Sequence, residues 1–244
     1  MIQPIYKRIL LKLSGEILAG DGGTGLHFST IQNLARQISR VHDLGCETGI
    51  VVGGGNLFRG RQAIADGMDS AAADTIGMLG TTINALALQG QLENLGKETR
   101  VLSAIRMEQV CEPFVRRRAI RHLEKGRIVV FAAGTGNPYF TTDSAAVLRA
   151  AEIHSQVVLK GTKVDGVYSS DPVVNPAAEF YSELTFQEAL SRQLRVMDLT
   201  ALTLCMENNL PVVVFNITVP GNLERLLKGE RLGTRILRGQ EGEG

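Results

Sequence analysis

Short apolar runs rich in Val and Ile alternate with helix-like segments along almost the whole chain. The predicted strands are 9–13, 47–52, 101–102, 128–131, 157–160, 211–215 and 234–237. The predicted helices are 70–94, 143–151, 185–190 and 199–208. A further helix is capped by Ser29 or Thr30 and closes at Gly45, another follows Pro113, and the last starts near Asn222. Parallel strands are buried on both faces and joined by crossover helices. This order therefore predicts an α/β fold whose mainly parallel sheet is covered by helices on both faces.

Nothing in the sequence divides the chain into separate units. Its 244 residues are 44% hydrophobic, which is enough to fill one large core. Neither an internal repeat nor a low-complexity linker interrupts the pattern. We therefore expect a single domain over residues 1–244, with a disordered polar tail at 239–244.

The charge balance and the cysteines exclude several classes of protein. The 26 basic and 25 acidic residues give a net charge of +1, and aromatic residues make up only 5%, so a general nucleic-acid binder is not expected. The three cysteines are Cys46, Cys111 and Cys205, and they form no CxxC pair and no Cys/His ligand spacing. Reduced, buried thiols are predicted, as is usual in the cytoplasm. The uncharged segment 75–92 contains Thr, Asn, Gln and Gly, which predicts a buried or amphipathic helix and not a membrane span.

Four loops that follow predicted strands have the composition of phosphate-binding loops. They span residues 12–15, 53–56, 134–143 and 163–168. Glycine lets the backbone approach an anion, and free N–H groups at a loop or helix start can donate to it. Because parallel sheets bind ligands beyond the carboxyl ends of their strands, we expect the four loops to converge on one phosphate-rich site. The sequence lacks the GxxxxGK[ST] loop of P-loop enzymes, the HRD and DFG motifs of protein kinases and the GxSxG motif of hydrolases.

Individual side chains in and near these segments admit both chemical and structural interpretations. Lys12 could stabilise a transferring phosphoryl group or protect a sheet edge, and Arg59 could bind phosphate through two hydrogen bonds. Asp74 suits either a helix start or a ribose hydroxyl. Asp143 could cap a helix, or orient lysines or magnesium. Tyr168 could stack on a purine, although the bare segment around it is typical of an ordinary turn.

Together these segments resemble the bacterial UMP kinases of the amino-acid kinase superfamily, over residues 7 to 237 approximately. The similarity depends on RILLKLSGE at 8–16, GGGNLFRG at 53–60, AGTGNPYFTTDS at 133–144 and TKVDGVY at 162–168. It implies a three-layer α/β/α sandwich with a mainly parallel sheet of about eight strands. It also implies transfer of the γ-phosphoryl group of ATP to UMP, with Mg²⁺ bound through the nucleotide phosphates and no phospho-enzyme.

The resemblance also implies roles for individual residues. Lys12, Arg59 and Asp143 would be catalytic. ATP would be bound by Lys12, Leu13, Ser14, Gly15, Gly55, Arg59, Thr162, Tyr168 and Asp171. UMP would be bound by Gly54, Arg59, Asp74, Thr135, Gly136, Asn137, Pro138, Tyr139, Phe140, Thr141 and Thr142.

Regulation and assembly are implied by the resemblance alone. Such enzymes tend to be hexamers that GTP activates and UTP inhibits, and the GTP-linked loop would correspond to Gly20, Asp21, Gly22, Gly23, Thr24 and Gly25. The chain departs from the usual pattern at Gly161, where alanine is more common, and at Tyr168, where phenylalanine also occurs. Three alternatives stay open: a kinase of the same fold that acts on a carboxylate or carbamate, a nucleotide-sensing regulatory protein, and a structural oligomer whose loops have no catalytic role.

Overall fold

A nine-stranded sheet runs through the computed structural model, which describes residues 3–194 and 196–239. The strands are Arg8–Leu13 (β1), Glu47–Val52 (β2), Thr99–Ser103 (β3), Glu112–Pro113 (β4), Ile128–Ala132 (β5), Val158–Thr162 (β6), Val167–Tyr168 (β7), Phe180–Tyr181 (β8), Glu183–Thr185 (β9), Val212–Asn216 (β10) and Thr234–Leu237 (β11). Their order in the sheet is β4-β3-β5-β2-β1-β6-β10-β11-β9, and β7 pairs with β8 separately. Neighbours in the large sheet are parallel, apart from β10 and β11.

Helices cover both faces of this sheet. They are Gly15–Leu18 (α1), Phe28–Asp43 (α2), Gly60–Ala65 (α3), Ser70–Asn94 (α4), Arg116–Glu124 (α5), Thr142–Glu152 (α6), Phe186–Ser191 (α7), Leu199–Glu207 (α8) and Asn222–Leu227 (α9). One hydrophobic cluster joins the sheet to α2, α4 and α9, and a second joins the opposite face to α5, α6, α7 and α8. The predicted three-layer α/β/α architecture is confirmed. No helix of the described residues is long and apolar enough to cross a membrane.

The alternation of β1 explains how a lysine comes to lie inside the molecule. Ile9, Leu11 and Leu13 face the first cluster, whereas Leu10 faces the second, and all four are fully buried. Burying each such side chain is worth roughly 1.5–3 kcal/mol, and a slip of one residue would move each of them to the opposite face and turn Lys12 into the first cluster. The register of β1 is therefore fixed. Lys12 consequently follows Leu10 on the second face, with only 7% of the residue exposed.

Element boundaries differ from the prediction mainly where elements are short or caps are unusual. The predicted Ser29 or Thr30 cap of α2 is wrong: His27 is the N-cap, and Thr30 Oγ1 instead lies 2.7 Å from His27 Nδ1. The helices α1 and α3 and the strand β4 were not predicted, since two to six residues carry too little periodicity. The predicted disordered tail lies outside the described residues from 240 onward, and Gly239 lies outside any helix or strand.

The predicted thiols are free but not equally buried. Cys46 and Cys205 are buried, and burial raises the pKa of each thiol to about 12. Cys111 is only half-buried, so the expectation of burial is wrong for this residue.

Candidate functional site

Two lysines and one aspartate form a charged centre at the carboxyl end of the sheet. Lys12 of β1 and Lys160 of β6 occupy paired positions on neighbouring parallel strands, so both side chains leave the same face. Lys12 Nζ lies 2.7 Å from Asp143 Oδ1 in an ion pair, and Lys160 Nζ donates to Asp143 Oδ2 at 2.8 Å. All three side chains are largely buried. Two ammonium groups are therefore paired with one carboxylate at the carboxyl end of the sheet.

Burial and charge oppose each other at this centre. Burial alone would raise the pKa of Asp143, but the ammonium groups of Lys12 and Lys160 outweigh burial and lower that pKa below its ordinary value. For Lys160, burial lowers the pKa, and the attraction of Asp143 only partly offsets this effect. The carboxylate is therefore ionised at neutral pH, and Lys160 loses its proton at a lower pH than an ordinary lysine does.

Thr141, and not Asp143, caps α6. The Thr141 hydroxyl oxygen accepts hydrogen bonds from the N–H groups of Asp143 and Ser144, at 3.1 and 3.4 Å. Asp143 occupies the first turn, where its side chain turns to the two lysines. Of the two sequence interpretations of Asp143, capping is wrong and the orientation of lysines agrees with the structure.

The glycines of the first two loops are required where backbones touch. A Cβ atom on Gly15 would lie 2.6 Å from the carbonyl oxygen of Gly53, and one on Gly54 would lie 2.6 Å from that of Gly77 in α4. In contrast, no described atom lies within 4 Å of the Cβ position of Gly55. Gly15 and Gly54 therefore pack the two loops against each other and against α4, whereas Gly55 faces open space.

A buried pair of amides ties the glycine loop to α4 and to the predicted effector loop. Asn84 Nδ2 donates to the Gly53 carbonyl at 2.6 Å and to Asn56 Oδ1 at 2.7 Å. Asn56 Nδ2 donates to the Gly25 carbonyl at 2.7 Å, and the Gly25 N–H donates back to the Asn56 carbonyl at 2.8 Å. The end of the loop over residues 20–25 is thus bonded directly to the glycine loop.

The segment that follows β5 is held against α4 at two points. The Ala133 N–H donates to Thr81 Oγ1 at 2.8 Å, and the Tyr139 N–H donates to Asp74 Oδ2 at 2.7 Å. Asp74 Oδ1 has no hydrogen-bond partner in the described part of the chain, which leaves it available to a ligand hydroxyl. Tyr139 and Phe140 are 74% and 50% exposed, although both are large and apolar in part.

A buried arginine supports the same segment from α6. Arg149 is 4% exposed, and its guanidinium carbon lies 3.8 Å from the centroid of the Phe114 ring. It donates to Glu152 at 2.6 Å and to the Gly134 carbonyl at 3.3 Å. The guanidinium therefore links the helix to the loop that precedes it. The other predicted UMP contacts on this loop and at the start of α6 are Thr135, Gly136, Asn137, Pro138 and Thr142.

The loop after β6 lines a cavity of about 500 Å³. Tyr168 and Asp171 contribute to its wall together with Val164 and Leu194. The Thr162 hydroxyl donates to the Val164 carbonyl at 2.6 Å and so shapes the start of the loop. Cavities of this volume are typical of small-molecule sites. The predicted purine-side residues therefore surround a space of suitable size next to β6.

The remaining predicted residues are Arg59, Ser14 and Leu13. Arg59 is exposed at the start of α3, is paired with no other described residue, and lines a small cavity beside Gly55 and Gly25. Ser14 caps α1 by accepting from the Glu16 N–H at 3.4 Å. The Leu13 side chain is buried in the core, so only its backbone faces the loop.

Two residues of the centre, Lys160 and Asp198, were not among the sequence predictions. Lys160 ends an apolar run as Lys12 does, which is a signal that the sequence does contain. Asp198 accepts hydrogen bonds from the hydroxyls of Thr141 and Ser144, across 54 residues or more of sequence. Its only local signal is that of an ordinary helix cap.

The described residues contain no group of three or more His, Cys, Asp and Glu side chains placed to hold a metal ion. The Asp143 carboxylate forms ion pairs with both Lys12 and Lys160. Mg²⁺ prefers oxygen ligands and usually keeps several that do not come from protein. The residues present therefore fit a cation held chiefly by phosphate oxygens of a nucleotide.

Comparison with known proteins gives one consistent result. The family model described as the amino acid kinase family matches residues 7–216. A uridylate kinase from Methylococcus capsulatus is 54% identical over 239 residues, which cover 98% of this chain and 100% of that protein. The crystal structure of UMP kinase from Bacillus anthracis superposes with a TM-score of 0.92 at 44% identity, covering 95% of this chain and 96% of the other. The UMP kinase of Ureaplasma parvum gives a TM-score of 0.89 at 43% identity, covering 95% and 99%.

These similarities extend over the sheet, both helical layers and the segments that carry the charged centre. The family match alone includes the first ten strands and the loops that follow them. The resemblance found in the sequence motifs is confirmed. The chain belongs to the amino acid kinase family.

Proposed function

We propose that this protein transfers the γ-phosphoryl group of MgATP to the phosphate of UMP, giving UDP and ADP. The proposal rests above all on the Lys12–Asp143–Lys160 centre beside the glycine loop. It is also supported by family membership and by the 54% identity to a protein named uridylate kinase. In this transfer the bond from the γ-phosphorus to the bridging oxygen breaks, ADP leaves with that oxygen, and a UMP phosphate oxygen bonds to the phosphorus.

Catalysis would come from positioning and from charge. Phosphoryl transfer spreads negative charge over the equatorial oxygens and needs little covalent help from protein. Lys12 would neutralise that charge, because its ammonium is already fixed at the mouth of the sheet by Asp143. Asp143 would keep both lysines oriented and would not act as a nucleophile. Arg59, which is exposed and unpaired among the described residues, would close on phosphate oxygens of either nucleotide.

The two nucleotides would occupy opposite sides of this centre. UMP would lie along the loop between β5 and α6, where Asp74 Oδ1 would accept from a ribose hydroxyl and Gly54 would approach the phosphate. ATP would place its adenosine in the cavity beside Tyr168 and Asp171 and its phosphates near Ser14, Gly15 and Gly55. Mg²⁺ bound to the ATP phosphates would supply further neutralisation of their charge.

We also propose that the chain acts as one domain, is a homo-oligomer of six copies, and responds to GTP and UTP. The domain proposal is supported by a single sheet that includes strands from 8–13 to 234–237. The effector proposal is supported by the hydrogen bonds between Gly25 and Asn56, which give the predicted loop a direct connection to the glycine loop. The free thiols are in keeping with the expected cytoplasmic location.

A coupled ADP-release assay with MgATP tests the reaction. The acceptors are UMP, CMP, dTMP and acetylglutamate, and the Lys12→Ala variant purified in parallel measures contaminating kinases. We expect UMP to give the highest kcat/KM and the variant to remove most of that rate. Turnover with acetylglutamate but not with UMP would overturn the proposal in favour of a carboxylate kinase. No turnover with any acceptor, together with tight nucleotide binding, would favour a nucleotide sensor instead.

A further inference from the structure

Asp198 joins the start of α6 to the start of α8. Its Oδ2 atom accepts from the Thr141 hydroxyl and, at 3.1 Å, from the Ser144 hydroxyl. Its Oδ1 atom accepts from the same Ser144 hydroxyl at 2.9 Å and from the Ala201 N–H at 2.8 Å. The last of these bonds is an ordinary helix cap, but the bonds to Thr141 and Ser144 are not needed for capping α8.

The bond from Thr141 to Asp198 sets the direction of the Thr141 hydroxyl. A hydroxyl has one donor and two acceptor lone pairs. Because its proton points to Asp198, the lone pairs are left for the N–H groups of Asp143 and Ser144. The cap of α6, on which the backbone position of Asp143 depends, is therefore oriented by the Asp198 carboxylate.

The same segment also contacts the second lysine. The Val196 carbonyl, two residues before Asp198, accepts a hydrogen bond from Lys160 Nζ. Lys160 Nζ in turn donates to Asp143 Oδ2 at 2.8 Å. The segment that ends at Asp198 thus supports Asp143 twice, through the cap of α6 and through Lys160.

We propose that Asp198 is a positioning residue of the phosphoryl-transfer centre: it holds Asp143, and through it Lys12, in register without contacting the substrate. The inference rests on the proposed UMP kinase function. Transfer depends on close alignment of donor and acceptor, and a displacement of about 1 Å can cost about 10²-fold in rate. A carboxylate that accepts from the Thr141 hydroxyl, the Ser144 hydroxyl and the Ala201 N–H would limit such displacement.

Two matched variants test the role. Asp198→Asn keeps the shape but removes the charge and one acceptor. Asp69→Asn makes the same change at the N-cap of α4, where the Asp69 carboxylate accepts only from the Ala72 N–H, at 2.9 Å, among the described residues. We expect Asp198→Asn to lower kcat by about 10-fold or more while the KM for ATP changes less than about twofold. Asp69→Asn is expected to keep normal kcat, and Asp198→Glu to regain part of the activity that Asp198→Ala loses.

Amide hydrogen exchange separates this inference from the proposed reaction. Faster exchange in the first turn of α6 is expected for Asp198→Asn and not for Asp69→Asn, whichever acceptor the enzyme uses. If Asp198→Asn does not fold, Ser144→Ala takes its place, because it removes one of the two hydroxyl groups that donate to Asp198. Its exchange and kcat are then compared with those of Asp69→Asn, and smaller changes in the same direction are expected. Unchanged exchange with near-normal kcat, or equal losses in the Asp198 and Asp69 variants, would overturn the positioning role. A wild-type enzyme that does not phosphorylate UMP would overturn the proposed function alone.

Discussion

Lys12 and Asp143 form one ion pair, yet their removal would leave different charges behind. Lys12→Ala leaves Asp143 paired with Lys160, so the buried charges stay compensated. Asp143→Ala leaves two buried ammonium groups without their shared partner, and removing one member of a buried pair costs about 3–5 kcal/mol. We expect kcat to fall by at least ~10²-fold in both variants. Urea unfolding should show the larger loss of stability for Asp143→Ala.

An exposed lysine at the end of α5 provides the control for this pair. Lys125→Ala removes the same side chain far from the centre in the fold, so we expect normal kcat and an unchanged free energy of unfolding. Near-normal turnover in both Lys12→Ala and Asp143→Ala would remove the mechanism proposed here.

The lowered pKa of Lys160 predicts a loss of activity on the alkaline side. Burial is the main cause of the lowering, so the lysine loses its proton below the ordinary value of 10.5, and its bond to Asp143 weakens as it does. The unfolded chain binds this proton more tightly than the folded chain, so Lys160 contributes more to stability as pH rises through this window. We therefore expect kcat to fall with rising pH through this window, while the contribution of Lys160 to stability rises. Measuring kcat and thermal unfolding at the same pH values checks this, and a flat kcat up to pH 10.5 would contradict it.

At the scale of loops and helices, substitutions of the adjacent glycines Gly54 and Gly55 are predicted to have different effects. A methyl group at Gly54 would meet the backbone of α4 at 2.6 Å, whereas one at Gly55 would enter open space. We expect Gly54→Ala to lower the melting temperature clearly, since backbone atoms cannot yield as a flexible side chain can. Gly55→Ala should fold normally but raise the KM for ATP, because the methyl group would occupy the space proposed for phosphate.

Thermal unfolding and steady-state kinetics on the same preparations distinguish the two glycines. The opposite pattern, with a destabilised Gly55→Ala and an unaffected Gly54→Ala, would show that the glycine loop is packed differently. Unchanged KM values in Gly55→Ala would argue against phosphate at that position.

Much of the element order could be predicted because it depends on long or strongly apolar segments. The helix over 70–94 and the strands over 47–52 and 234–237 agree with the structure residue for residue. The short edge strands β4 and β9 could not be found, because two or three residues carry no usable alternation.

The site was predictable in its loops but not in its supporting contacts. The glycine loops follow strands, and that is a local pattern. The contact from Lys160 to Asp143 joins residues 17 apart, and that from Asp198 to Thr141 joins residues 57 apart. Such pairs depend on which strands become neighbours, and that is a property of the sheet and not of any segment.

For the whole molecule, the strand order explains why the charged centre lies where it does. The strands β1 and β6 are neighbours in the sheet. From β1 the chain continues to β2 on one side, whereas from β6 it continues through β7 and β8 to β9 and the other strands on the opposite side. Connections that leave in opposite directions open a crevice at the carboxyl ends of the two strands, and ligands of open α/β sheets bind there. Lys12 and Lys160 flank this crevice. The topology therefore brings two cations to the place where a polyanion can enter.

The proposed assembly can be tested on the outer face of α4. Ile76, Leu79 and Ile83 follow one another at helical spacing and are 39%, 46% and 50% exposed, which is typical of a surface that another protein copy covers. We expect the wild-type protein to be an oligomer by light scattering and Ile83→Glu to shift it to smaller species. Phe28→Glu, at an exposed apolar residue on α2, is the control and should leave the mass unchanged.

Because the same helix carries Asp74, which holds the Tyr139 backbone, loss of assembly should also raise the KM for UMP more than that for ATP. A helix that loses its partner is freer to shift, and the shift would act first on the loop bonded to it. A monomeric wild-type protein, or an Ile83→Glu variant of unchanged mass, would exclude this face as the interface. Dissociation without any change in KM would show that assembly and UMP binding are independent.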